Sequence, residues 1–109
     1  MRNQTKQTQL RHVGDVLDVL GGRWRGAVLA SLCGADKRFN ELRRDLPPIT
    51  SRTLSRELSY LQECKLVRVT RTSAEATYSL TPHGRSLEPL IGQIVAWGQR
   101  HRRVVLAAD

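Results

Sequence analysis

Arg52 and Arg56 stand four residues apart, a spacing that projects two guanidinium groups from one face of a helix. A guanidinium is a planar fork of donors that can pair bidentately with guanine O6 and N7, or bond phosphate oxygens. Ser51, Thr53 and Ser55 interleave with these arginines, and their short hydroxyls let a backbone approach a duplex and bond a base edge or a phosphate. Lys37, Arg38, Asn40, Arg43 and Arg44 lie just upstream, and Arg68, Arg71 and Thr72 just downstream. This set suits polyanion binding better than bond making.

The side chains that would support catalysis or metal binding are scattered instead. His12, His83 and His101 fall in separate segments with no ligand spacing and no carboxylate partner set. No serine sits in a nucleophile elbow, and Gly21-Gly22 reads as a helix stop rather than a phosphate-cradling loop. Cys33 and Cys64 are too few for a disulfide framework or a zinc site; they read as small, partly buried thiols, with Lys65 the one cation beside Cys64. The expectation is therefore no catalytic residue, no metal and no cofactor.

Charge distribution sharpens the first reading. The 109 residues carry a net charge of +8, and residues 37–73 hold nine Lys/Arg against four Asp/Glu, the largest excess of any third of the chain. A merely solubilising charge would be spread more evenly. The length fits one domain, and the 39% hydrophobic content fits a folded one. No apolar run reaches the roughly 18 residues of a membrane span, and the polar opening lacks a signal peptide's apolar stretch, so the expected location is the cytoplasm, away from membranes.

The elements that would hold the arginines follow from periodicity. Leu10, Val13, Val16, Leu17 and Leu20 recur at helical spacing up to Gly21-Gly22, and residues 1–9 before them read as a flexible arm. Trp24 to Gly34 is apolar around most of a helix, as a central buried helix would be. Phe39, Leu42 and Leu46 mark a short helix with Asn40 as its N-cap, stopped by Pro47-Pro48. Ile49 plugs the turn, and Thr50 or Ser51 caps the next helix, with Leu54, Leu58 and Leu61 inward and Arg52, Ser55, Arg56 and Ser59 outward. Two short helices joined by a tight turn predict a helix-turn-helix over 39–64. The alternating segments Leu66 to Thr72 and Ala76 to Leu80, linked by Ser73-Ala74-Glu75, predict a hairpin wing over 66–80. Thr81 and Pro82 open one last helix, with Leu87, Leu90, Ile91, Ile94, Val95 and Trp97 on its apolar face and its end near Arg103. Such a helix is about 30 Å long, as long as the domain, so its apolar face must project beyond one core and argues for a dimer. The fold class is α+β, mainly α: a winged helix-turn-helix over 10–109, with 10–34 and 82–106 as core and dimerisation helices.

The segments GGRW (21–24), KRFNELRRDLPPITSRTLSRELSYLQ (37–62), YSLTPHGRSL (78–87) and WGQRH (97–101) together resemble the HxlR family of bacterial winged helix-turn-helix regulators, within the MarR-like superfamily. The resemblance implies a homodimer whose first and last helices meet across a two-fold axis, presenting two recognition helices to a palindromic operator on double-stranded DNA. Many members begin the first helix with a Cys-Pro pair, several using that cysteine as a sensor; the matching positions here are Arg11-His12, so that switch is absent. The wing is about three residues shorter than the family pattern and lacks its prolines.

In this frame Arg52, Arg56, Ser51, Thr53 and Ser55 are expected in the major groove, Lys37, Arg38, Arg43 and Arg44 on phosphates, and Asn40 among the DNA-binding residues. Arg68, Arg71 and Thr72 belong to the wing. Val13, Leu17, Trp24, Val28, Ile91, Ile94 and Trp97 are candidates for the dimer interface or for a small-molecule effector pocket within it. The competing reading is a winged-helix module that binds protein, its basic face serving solubility; Arg52 and Arg56 on the outer face of the second helix speak against it.

Overall fold

A computed structural model describes residues 2–107 and side chains from residue 5 onward. The elements run α1 (Arg2–Leu20), α2 (Arg25–Gly34), β1 (Lys37–Arg38), α3 (Phe39–Asp45), α4 (Ser51–Glu63), β2 (Val67–Arg71), β3 (Ala76–Leu80), α5 (Pro82–Arg85) and α6 (Glu88–Leu106). The three strands form an antiparallel sheet in the order β1-β3-β2. This is the expected winged helix-turn-helix: two helices and a tight turn, followed by a hairpin.

The core forms where the leucine stripes converge. Val28, Leu29 and Leu32 of α2, Leu42 of α3, and Leu54, Leu58 and Leu61 of α4 are buried against Leu66, Val67 and Leu80 of the wing base. Burying an aliphatic side chain of this size contributes about 1.5–3 kcal/mol, so this cluster fixes α4 against α2 and the sheet. Ile49 is buried in the turn between α3 and α4 as expected, its N–H donating to the Leu46 carbonyl at 2.8 Å. Thr50 caps α4 by accepting from the Thr53 N–H at 3.1 Å.

The far end of α4 closes in a Schellman turn. The Leu66 N–H bonds the Leu61 carbonyl and the Lys65 N–H the Gln62 carbonyl, both at 3.0 Å. Lys65 carries the left-handed conformation of that turn, φ +64°, where glycine is the usual residue. Thr81 ties the next segment to the same place: its hydroxyl donates to the Lys65 carbonyl at 2.6 Å and accepts from the Gly84 N–H at 2.9 Å. A Cβ on Gly84 would lie 2.1 Å from the Leu66 carbonyl oxygen, so only glycine permits α5 to lie this close.

Four expectations are corrected. Residues 2–9 are not a loose arm but the first two turns of α1; they lack an apolar residue to mark a period, yet Gln, Lys and Arg favour helix. Met1 lies outside the described residues. Asn40 is not the N-cap of α3: Arg38 occupies that position, and its N–H donates to Glu41 Oε1 at 2.8 Å. The last helix is two helices, α5 and α6, because Pro89 has no N–H to give the Arg85 carbonyl and its ring crowds that oxygen. The two-residue strand β1, too short for an alternation to register, pairs Lys37 with Tyr78 and Arg38 with Thr77 and makes the hairpin a three-stranded sheet.

Candidate nucleic-acid interface

On α4 the inward leucines leave Ser51, Arg52, Ser55, Arg56 and Ser59 exposed, as the periodicity predicts. The side chains of Arg52 and Arg56 make no hydrogen bond or ion pair among the described residues, so their guanidinium donors remain available to a ligand. On α3 and the turn that leads into α4, Asn40, Arg43, Arg44, Pro47, Pro48 and Ile49 line a hollow of about 520 Å³. A second hollow, of about 360 Å³, runs from Asn40 and Arg44 past Phe39 and Arg38 to Glu75 and Ala76 at the wing tip. Asn40 and Arg44 belong to both, so α3, the turn and the wing tip form one concave strip. Arg43 and Arg44 are exposed along it, while Arg68 and Arg71 are exposed on β2.

Four of the residues expected to contact DNA are engaged within the chain. The Lys37 ammonium bonds the Asp45 carboxylate, the Ser31 carbonyl at 2.8 Å and the Ser31 hydroxyl at 3.0 Å. The bonds from Lys37 and Ser31 hold the Asp45 carboxyl below the usual carboxylate range, so it is ionised at neutral pH and neutralises Lys37 locally. Arg38 pairs with Glu75 at 3.0 Å and so ties β1 to the wing tip. Thr53 shares its hydroxyl with Thr50 at 3.0 Å in the α4 cap. Thr72 closes the wing turn, accepting from the Ala74 and Glu75 N–H groups at 3.3 and 3.2 Å. Sequence spacing marks these side chains as polar and near the site, but not as already partnered.

On the opposite flank, Val16, Leu17, Leu20, Gly26, Ala27, Ala30, Leu90, Ile91, Ile94 and Val95, with Gly22 and Arg23, line an apolar groove of about 570 Å³ between α1, α2 and α6. Of the candidate interface residues, Leu17, Ile91 and Ile94 line it. Val13 and Trp97 are exposed on the same two helices, Trp97 stacked on His101 with ring centroids 4.8 Å apart. Val28 is fully buried in the core, so it cannot meet a partner, and Trp24 packs half-buried against that core under the Arg23 guanidinium.

Burial pushes the Cys33 thiol up, and the nearby Glu88 carboxylate adds to this against a smaller opposing effect of Arg85. Cys64 lies beside a small hollow with Val19, Leu66, His83 and Leu87. Among the described residues no three His, Cys, Asp or Glu side chains gather as a metal site, and no helix is long and apolar enough to cross a membrane.

Sequence reasoning missed the polar junction beside α4, where Arg25 meets Glu57 at 2.9 Å and lies over the Tyr60 ring. The partners are 32 or more residues apart, so no local spacing announces them.

Residues 19–105 match the model of the HxlR-like helix-turn-helix family. The chain is 39% identical over 92 residues to the HTH-type transcriptional regulator YybR of Bacillus subtilis (strain 168), covering 82% of this chain and 74% of that one. Among solved structures, the redox regulator HypR in its reduced form is similar with a TM-score of 0.78 and 40% identity, covering 85% of this chain and 95% of that one. The transcriptional regulator YtcD aligns with a TM-score of 0.78 and 33% identity, over 84% and 96% of the two chains. These relatives are transcriptional regulators rather than enzymes, and a helix-turn-helix characteristically lays its second helix in the major groove. The chain belongs to the HxlR-like helix-turn-helix family of transcriptional regulators.

Proposed function

We propose that the protein acts as a homodimer on a palindromic operator in the cytoplasm, with Arg52 and Arg56 reading base edges and Arg43, Arg44, Arg68 and Arg71 on the phosphates. The observation that carries this reading is the pairing of an unpartnered arginine face on α4 with an uncovered apolar face on α1 and α6. The first suits a duplex and the second a copy of the chain. Leu10, Leu17, Ile94 and Trp97 are 47–63% exposed, and large exposed apolar side chains of this kind mark an interface. A two-fold pairing of these helices sets two α4 helices on one side, and half-sites about one helical turn apart, roughly 10 base pairs, then follow.

The reading includes a small apolar effector seated in the groove of Leu17, Ile91 and Ile94, whose occupancy tunes operator affinity. HypR is a redox regulator, but this chain has Arg11-His12 where the resemblance would place a sensor cysteine, so a binding signal fits its residues better than a thiol at that place.

Enrichment of duplexes from a random-sequence pool, followed by sedimentation of the complex, tests the proposal. The expected result is an inverted-repeat consensus bound by two chains. A consensus without symmetry bound by one chain contradicts the dimer, and absence of any consensus favours the protein-binding module.

A further inference from the structure

Arg25 begins α2 directly after the turn that ends α1, and its guanidinium is shared among three helices. Nη1 donates to the Asp18 carbonyl at 2.7 Å, one of the last-turn carbonyls of α1 that no helical N–H can reach. Nε donates to Glu57 Oε2 on α4 at 2.9 Å. The guanidinium carbon lies 3.8 Å from the centroid of the Tyr60 ring, also on α4. Tyr60 donates its own hydroxyl to the same Asp18 carbonyl at 3.4 Å.

Glu57 and Tyr60 are three residues apart, on the flank of α4 between its leucine stripe and its exposed arginines. The Glu57 side chain is only 13% exposed, so its charge is tolerable there because a cation faces it. A lysine could supply the charge, but not two directed bonds and a stacked plane at once. The Asp18 carbonyl that both Arg25 and Tyr60 grip follows Val16 and Leu17, which line the apolar groove. A shift of the last turn of α1 therefore moves an anchor of α4.

We infer that Arg25 is a positioning residue for the recognition helix: it sets the tilt of α4 against α1 and makes the apolar flank and the arginine face one mechanical unit. The inference rests on the reading of α4 as the helix that meets DNA. Arg25 itself touches no duplex in this account, so it governs which sequence is preferred and not how many phosphates are neutralised.

The test compares Arg25→Lys and Arg25→Met with the unaltered chain on two probes at matched salt: a duplex enriched by that chain from a random pool, and a shuffled duplex. Both variants are expected to lose about tenfold on the enriched duplex, stay within about twofold on the shuffled one, and keep the salt slope. Asp18→Ala, which retains the carbonyl, is expected to change neither. Amide exchange supplies a second measurement: residues 51–60 should exchange faster in both Arg25 variants, while Leu29 and Leu32 keep their protection. Unchanged sequence preference in both variants overturns the inference, as does an equal loss on both probes with a shallower salt slope, which would make Arg25 a phosphate contact. If the unaltered chain enriches no duplex, the DNA reading fails by itself; the exchange arm then decides the brace, and unchanged exchange in α4 overturns it.

Discussion

The helix-turn-helix and the α1–α6 flank treat their apolar residues in opposite ways. Around α4 every large aliphatic side chain is inside: Leu54, Leu58 and Leu61 are at most 1% exposed, and what faces water is serine, arginine and the terminal Glu63. Along α1 and α6 the stripes are as regular, yet Leu10, Val13, Leu17, Ile94, Val95 and Trp97 remain exposed, as do Val104, Val105 and Leu106 at the end of α6. One region completes its core within the chain and turns its polar groups toward a ligand; the other leaves its core half-built. The proposed dimer would cover the second region with a copy of the chain while keeping the first open to a duplex.

The largest effect belongs to the closed region: Leu58→Ala should lower folding stability by about 2–5 kcal/mol, read from the urea midpoint, because the cavity it leaves is walled by α2 and the sheet. A loss below about 1 kcal/mol would mean that the core is looser than its burial indicates. In the open region Ile94→Glu should leave the protomer folded by circular dichroism but weaken self-association about a hundredfold or more in sedimentation, since a carboxylate would be trapped in an apolar contact. Unchanged association would remove the α6 face from the interface.

Smaller effects separate basic residues that composition counts alike. Arg44→Ala should weaken binding to every duplex and make the salt dependence shallower by about one unit, whereas Lys37→Ala should leave the slope unchanged because Asp45 already neutralises that ammonium. The lowered Asp45 carboxyl gives this a sign with pH. A carboxylate whose folded value is depressed contributes above its unfolded value, and the contribution is lost as pH falls through the folded one. Lys37 therefore stays engaged at neutral pH and is released only below the ordinary carboxylate range. Equal slopes for the two variants would show that Lys37 leaves its pocket to meet phosphate. Smallest of all, Lys65→Gly should raise the urea midpoint, by about 0.5 kcal/mol in stability, as relief of the left-handed backbone outweighs the added entropy of the unfolded chain.

Which features the residues announce follows the same divide. Periodicity and punctuation locate α2, α3, α4 and the hairpin, because Leu54, Leu58 and Leu61 repeat at helical spacing and Pro47-Pro48 interrupts it. They fail where the decisive contact is distant or the signal is polar. The opening turns of α1 carry no apolar residue, Pro89 divides what reads as one stripe, and β1 exists because of Tyr78 and Thr77 forty residues later. The exposed arginines of the interface are legible from spacing. The engagement of Lys37 by Ser31 and Asp45, of Arg38 by Glu75, and of Arg25 by Glu57 depends on tertiary packing and has no local signature.

The central claim is that the outer face of α4 reads bases, and Arg52→Ala tests it most directly. Titrating an enriched duplex and its shuffled counterpart across a salt series should show a loss of about 1–3 kcal/mol on the enriched duplex and relaxed base preference, with a much smaller loss on the shuffled one. Equal losses on the two duplexes would contradict the claim and make Arg52 one more phosphate contact.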